Sequence, residues 1–318
     1  MKAFIIGSAG FVGKYLIDHL QKECKWSVFA SKLPHELIED ETVGIINLDI
    51  LKQSAIEEAL KEISPDYVVH LAAQSSVSLS WKNPQLTVDV NIKGAVNLLE
   101  SLRVLDKKPR VLLIGSGEEY GRVTANELPI NEANNLRPGN IYAATKACQN
   151  MLGKIYADAY GLEVIMVRAF NHIGPGQSET FVVSDFCKQV AEIEAGKREP
   201  VIRVGNIGAK RDFTDVRDVV RAYSALAQKG KAGETYNIGS GKAVAIQTIL
   251  DNILALSPAK IKVEVDEAKF RPVDIPVIEA DISRIAECAG WQPKIRMETT
   301  IAETLGFWRE MIKTQETK

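Results

Sequence analysis

The 318-residue sequence has little cysteine, histidine or aromatic content: 4 Cys, 4 His and 7% Phe, Trp and Tyr. Cys24, Cys148, Cys187 and Cys288 are scattered with no Cys-x-x-Cys spacing. That argues against a disulfide framework and against a structural zinc site. The formal net charge is only −2, so the chain lacks the basic footprint of a nucleic-acid binder. No apolar run approaches the roughly 20 residues that cross a bilayer. The apolar opening "MKAFIIG" runs into a glycine loop and carries no signal-peptide cleavage pattern. These absences imply a reduced, cytoplasmic protein with no metal and with neither nucleic acid nor membrane as a partner. What remains, 46% hydrophobic and 25% charged residues, is ordinary for a globular chain. Its length suits one large domain or two of ordinary size.

The first half alternates. "KAFIIG", "WSVFAS", "VGIINLDI", "PDYVVHLAA", "PRVLLIGSG" and "LEVIMVRAF" read as six strands, with amphipathic helices between most of them. Helices run through "GKYLIDHLQKE", "QSAIEEALKEI", "PQLTVDVNIKGAVNLLESLRVL" and "NIYAATKACQNMLGKIYADAYG". Continuous apolar strands between such helices predict a doubly wound parallel sheet covered on both faces, an α/β fold of Rossmann type. After Phe170 the elements shorten and glycine and proline cluster in "FNHIGPGQ". The tail holds "GETYNIGSG", a helix near residues 244–256 and a final helix from about Glu298. A smaller α/β lobe, partly interleaved with the first, is expected here. Residues 1–168 with about 213–240 are assigned to a cofactor domain, and 169–212 with 241–318 to a substrate lobe.

"GSAGFVG" places Gly7, Gly10 and Gly13 after a strand and before a helix. The first glycine allows a tight turn, the second lets a pyrophosphate approach the backbone, and the third lets helix and strand pack closely. The helix N-terminus offers free N–H groups and a positive dipole end to phosphates. An acid about 20 residues further on would hold the ribose 2′-hydroxyl of NAD. "FASKLP" has instead Ser31 and Lys32, which tolerate a 2′-phosphate, so NADP(H) is favoured and NAD(H) stays open; a plain solvent-exposed Ser and Lys explains the same letters. Asp49 is a candidate partner for the adenine amino group, or a turn former.

Tyr142 and Lys146 lie four apart on a helix, hence on one face. An ammonium beside a phenol lowers the phenol's pKa, which would tune Tyr142 as a proton donor; a tyrosine rim over a solvated lysine reads the same way. Ser116 closes the fifth strand, at the sheet edge where ligands bind in such folds. Hydride addition to a ketone leaves charge on its oxygen. Tyr142 would supply the proton, and Ser116 a second hydrogen bond to that oxygen.

The glycine spacing and Tyr-x-x-x-Lys together resemble the short-chain dehydrogenase/reductases. "DYVVHLAA", "VNIKGAVNLLE", "YAATK" and "RPVDIP" resemble the extended branch that acts on nucleotide sugars. "GSGEEYG", "FNHIGPGQ" and "VGNIGAKRDFTDVRDVVRAY" are similar to the reductases of GDP-4-keto-6-deoxy-D-mannose, and also to the GDP-mannose dehydratases. The resemblance implies a cofactor lying along Gly7, Gly10, Phe11, Val12, Gly13, Ser31, Lys32, Asp49, Ile50, Leu71, Ala72, Ala73, Tyr142 and Lys146. It implies a GDP-sugar held by Ser75, Glu118, Asn171, Lys188, Arg211 and Arg271, the cations suiting a diphosphate. It also implies a homodimer through the long helices after the fourth and fifth strands. Asp215 and Asp218 read as helix-capping acids. Glu118 matches the dehydratases' proton-abstracting glutamate and is also retained in the reductases. Gly117 stands where the dehydratases carry Asp or Ser, and it can hold no proton for water loss. The expected activity is reduction of a 4-keto group. Dehydration, epimerisation and a non-catalytic binding role are the alternatives.

Overall fold

Strand runs without polar alternation belong in a sheet covered on both faces, and that is where the apolar runs lie. A computed structural model describes residues 1–38, 40, 42–266, 268 and 275–314. In chain order the strands are β1 (Lys2–Ile6), β2 (Ser27–Lys32), β3 (Gly44–Asn47), β4 (Tyr67–His70), β5 (Arg110–Ser116), β6 (Val164–Ala169), β7 (Asn171–Ile173), β8 (Val201–Val204), β9 (Lys210–Asp215), β10 (Thr235–Ile238), β11 (Ala243–Ala245), β12 (Lys262–Val265) and β13 (Val277–Ile278). The helices are α1 (Phe11–Lys22), α2 (Gln53–Ile63), α3 (Val77–Lys82), α4 (Pro84–Val88), α5 (Gly94–Arg103), α6 (Ile141–Tyr160), α7 (Val182–Glu194), α8 (Val216–Lys229), α9 (Ile246–Ala255), α10 (Ser283–Ala289) and α11 (Met297–Thr314).

Seven parallel strands form the main sheet in the order β10-β6-β5-β4-β1-β2-β3. Alternate side chains of one strand go to opposite faces. Ala3 and Ile5 pack with α1, α8 and α10, whereas Phe4 and Ile6 pack with α2 and α5. The chain leaves β1 towards β3 and returns to β4 on β1's other side. A crevice therefore opens at the carboxyl ends of β1 and β4, where ligands of such sheets bind. A seventh strand, β10, lies beyond the six read from the alternating first half. Its short run "TYNI" reaches the sheet because α8 packs on α1 and returns the chain beside β6.

The expected long helix is continuous from Pro84 to Arg103, but Asp89–Lys93 forms a π-helical turn between α4 and α5. Such bulges occur often at functional sites. Here Asn91 is buried, donating to Thr145 Oγ1 at 2.9 Å and accepting the Gln74 N–H at 2.8 Å. The loop after β4 is thereby tied to α6.

The second lobe uses a sheet in which β9 pairs with β7, β11 and β13, and a separate β8–β12 pair. Helices α7, α9 and α11 close over it around Phe186, Ile249, Leu305 and Trp308. Asp215 caps α8, accepting the Arg217 N–H at 2.8 Å. Asp218 lies within α8, where its carboxylate accepts the Lys294 and Ile295 N–H groups. It anchors the loop before α11, a role unlike the capping expected of it.

Candidate active site

The glycine loop is built for close approach. Gly7 has φ +82°, and a Cβ there would lie 2.5 Å from Ala72 Cα; one at Gly13 would lie 2.1 Å from the Ser8 carbonyl oxygen. Gly10 is different. It caps α1 without a side-chain hydrogen bond, and a Cβ there would meet nothing within 4 Å. The open space faces a helix N-terminus with uncapped N–H groups, which suits a diphosphate. The residues present therefore fit a dinucleotide. Phe11 stacks parallel to His172 with centroids 6.3 Å apart, and Tyr15 donates to the Pro175 carbonyl at 2.8 Å, so the loop is also stapled to the second lobe. Val12 packs partly buried against the core behind it.

The other cofactor candidates separate into surface and scaffold. Lys32 and Asp49 are partly exposed at the sheet edge, and Asp49 Oδ1 accepts the Leu51 N–H at 3.0 Å. Leu71, Ala72 and Ala73 run past the carboxyl end of β4, partly exposed beside Gly7. Ile50 is 7% exposed and fills space against Gly94. The reading of Ser31 is corrected. It is buried, and its hydroxyl accepts the Gly7 N–H at 3.0 Å, so it shapes the loop and presents no open group to a 2′-phosphate.

At the ends of β5 and α6 the structure brings the Ser116 hydroxyl close enough to the Tyr142 phenol to act on it. Asn140 caps α6 through the Ala143 N–H at 2.8 Å and donates to Glu118 Oε2 at 3.2 Å. Ser116, Gly117 and Glu118 line a narrow cleft with Ala169, Phe170, Asn171 and Ile278. Tyr142 is not among the lining residues, but Ser116 and Glu118, which are, both act on its hydroxyl.

The expectation that Lys146 lowers the Tyr142 pKa is not met. Burial pushes the phenol above its usual value; the hydrogen bond from Ser116 opposes this, while Glu118 and Glu119 add to it. The Lys146 ammonium instead donates to the Ile114 carbonyl at 2.7 Å and to Gln149 Oε1 at 3.0 Å. Burial brings its own pKa down to about 8, against the pull of Glu119. Lys146 is thus an acid poised close to neutrality and anchored to the strand.

Of the substrate candidates, Glu118 and Asn171 lie in the cleft. Ser75 is exposed in the loop after β4. Arg211, on β9, donates to the Lys210 and Ile275 carbonyls. Lys188 is ion-paired with Glu179 at 3.2 Å and Glu192 at 3.9 Å and lies over the Trp308 ring, an arrangement that holds it on the second lobe's own surface. Arg271 lies outside the described residues. A cavity of about 360 Å³ opens elsewhere, between α1, α8 and the end of α10, and is lined by residues such as His19, Cys24 and Trp291.

The chain matches the family model described as GDP-mannose 4,6 dehydratase over residues 4–304. This chain belongs to that family. It is 30% identical to the GDP-6-deoxy-D-mannose reductase of Pseudomonas aeruginosa over 315 residues, 99% of each chain. It is 28% identical to a Yersinia enterocolitica GDP-mannose 4,6-dehydratase, covering 95% of this chain and 92% of the relative. A solved structure of RMD from Pseudomonas aeruginosa complexed with NADPH superposes with TM-score 0.88 at 30% identity, covering 98% of this chain and 99% of that one. A UDP-glucose 4-epimerase of Thermus thermophilus in complex with NAD gives TM-score 0.87 at 26% identity, over 97% and 99%. The family thus spans reductase, dehydratase and epimerase names on one extended short-chain dehydrogenase/reductase fold.

Within this family member the sequence reading passed over four residues close to the site. Gln149 is the side-chain partner of Lys146. Phe170 places its ring against Gly117, 3.0 Å from where a Cβ would stand. His70 is fully buried near Lys146, its pKa brought down to about 3, and neither ring nitrogen has a hydrogen-bond partner among the described residues. Glu119 is a buried carboxylate directly beneath Ser116. Spacing alone gave no signal for any of them except Glu119, a second acid inside a motif already quoted.

Proposed function

We propose that this enzyme reduces the 4-keto group of a GDP-4-keto-6-deoxy-hexose, giving a GDP-6-deoxyhexose such as GDP-D-rhamnose, with NADPH as reductant. Gly7, Gly10 and Gly13 would hold the dinucleotide's diphosphate at the N-terminus of α1. When bound, the dinucleotide supplies a hydride to the carbonyl carbon. Tyr142 gives its phenolic proton to the carbonyl oxygen, and Ser116 donates a hydrogen bond to the same atom as charge develops. Lys146 would supply a positive charge at the site and meet the nicotinamide ribose. Asn171 would meet the sugar, Arg211 the diphosphate, and Lys32 a 2′-phosphate. NAD(H) use and a homodimer built on α4–α6 belong to the same reading.

The observation that carries it is the pairing of Gly117 with Phe170. Dehydration needs a group beside Ser116 to protonate a leaving hydroxyl. The Phe170 ring lies 3.0–3.1 Å from where a side chain at residue 117 would begin, so Gly117 offers no acid there and a side chain would crowd the ring. The NADPH-bound relative named RMD supports the cofactor. Glu118 favours the second reading, a GDP-mannose 4,6-dehydratase, because its carboxylate lines the same cleft.

One assay separates them. The protein mixed with NADPH and GDP-4-keto-6-deoxymannose is expected to consume NADPH, read as falling absorbance at 340 nm. Conversion of GDP-mannose to the keto-sugar without net cofactor use would replace the reductase reading with the dehydratase one.

A further inference from the structure

A buried acid that the reaction scheme does not use lies under the reacting groups. Glu119 is 0% exposed. Its Oε1 accepts the Ser116 N–H at 2.8 Å and Asn150 Nδ2 at 2.8 Å, and its Oε2 accepts Arg168 Nε at 2.9 Å and Asn150 Nδ2 at 3.0 Å. Every contact to both oxygens is a donor, which favours the carboxylate against the burial that raises its pKa. The pocket is cut to fit it: a Cβ on Gly115 would lie 2.2 Å from Glu119 Oε1. Arg168 reaches on to the Tyr120 hydroxyl at 2.9 Å, and Tyr120 donates to Asn237 Oδ1 at 2.7 Å. The carboxylate thus joins the end of β5, the middle of α6 and the end of β6 at one point.

We propose that Glu119 is a positioning residue: its carboxylate fixes the end of β5, where the Ser116 backbone and the Ile114 carbonyl that holds Lys146 both lie. This inference rests on the reductase reading for its kinetic consequence, though not for its electrostatic one. The titratable and charged groups facing Lys146 and Tyr142 are His70 on β4, Glu118 and Glu119 on the turn after β5, Arg168 on β6 and Tyr223 on α8. His70 and Tyr223 are buried and neutral at neutral pH. Glu119 is the group that opposes the desolvation of Lys146, and it also raises the Tyr142 pKa. Both effects retain protons at the site, so removing the charge moves both groups the same way.

The test compares Glu119→Gln, Arg168→Met and the double variant. Losing one partner of a buried ion pair strands the other, whereas replacing both is often tolerated; the double variant therefore guards against a folding failure. Lys146 is titrated by ¹³C NMR of its Cε, assigned by the signal lost in Lys146→Arg, and the alkaline limb of kcat is recorded alongside. The expected result is a Lys146 midpoint lower by about one unit in Glu119→Gln and a smaller drop in the double variant. The kcat limb moves with it, kcat falls about tenfold or more, and the KM for NADPH stays unchanged. A folded Glu119→Gln with an unmoved midpoint would mean the pair is only structural and overturns the proposal. If the wild-type protein shows no ketoreduction, the functional reading fails while the NMR titration still decides this one.

Discussion

Tyr142 and Lys146 are one helical turn apart, yet the ammonium is turned down to the Ile114 carbonyl and the phenol out to Ser116. Burial dominates both, raising the phenol and bringing the lysine to about 8. Tyr142→Phe keeps the ring and removes the proton. It is expected to cut ketoreduction by about 10²–10⁴-fold while NADPH affinity, read by fluorescence titration, stays within a factor of about two. An indifferent variant would mark a binding protein. Lys146 makes a second expectation because its charge is lost as pH rises through about 8. Turnover should be level below that value and fall above it in a pH–rate profile. Stability moves the other way. The folded-state value lies below the ordinary 10.5, so the unfolded chain binds the proton more tightly between the two. The penalty of the buried charge is full below about pH 8 and is relieved as pH rises towards 10.5. Lys146→Met should abolish that rise in melting temperature.

The β1–α1 unit shows which glycines serve packing and which leave room for a ligand. Gly13→Ala drives a methyl into the Ser8 carbonyl, a backbone atom that cannot step aside. It should cost about 1–3 kcal/mol of stability by overpacking, read by thermal melting, and weaken NADPH binding with it. Gly10→Ala meets no neighbour within 4 Å. It should melt like the wild type and still lose NADPH affinity, because the methyl stands where a phosphate would approach. If both variants melt alike, or Gly10→Ala binds normally, the loop is only a turn. The glycine loop was legible in the sequence because its signal is local, and so was α6, whose caps Asn140 and Gly161 fall where the helix was read. β10 was not, since its pairing with β6 depends on α8 crossing back over the sheet. The Glu119–Arg168 contact was hidden for the same reason: it depends on the β5–β6 register that puts Gly115 opposite Arg168. Ser31 was misjudged because a hydroxyl at a strand end reads identically whether it faces a ligand or a glycine N–H.

At the scale of the whole molecule, the exposed large apolar side chains are unevenly placed. Leu79, Trp81, Leu86 and Val88 on α3 and α4, with Met151, Ile155 and Tyr160 on α6, are all at least 39% exposed. These helices pack against one another, so the residues form part of one flank, and none of them lines the cleft at Ser116. A surface of that kind usually marks an interface, and a twofold interface needs only one self-complementary patch. A second copy of the chain, apposed through α4–α6, would cover it and leave both clefts open. Met151→Glu with Ile155→Glu places two buried charges on each side of such a contact. The expected outcome is a halved mass in light scattering at micromolar concentration, with NADPH binding retained because α6 presents Tyr142 and Lys146 from its first two turns. A wild-type protein that is already monomeric, or a variant whose mass does not change, would assign the flank no partner and leave the cleft chemistry untouched.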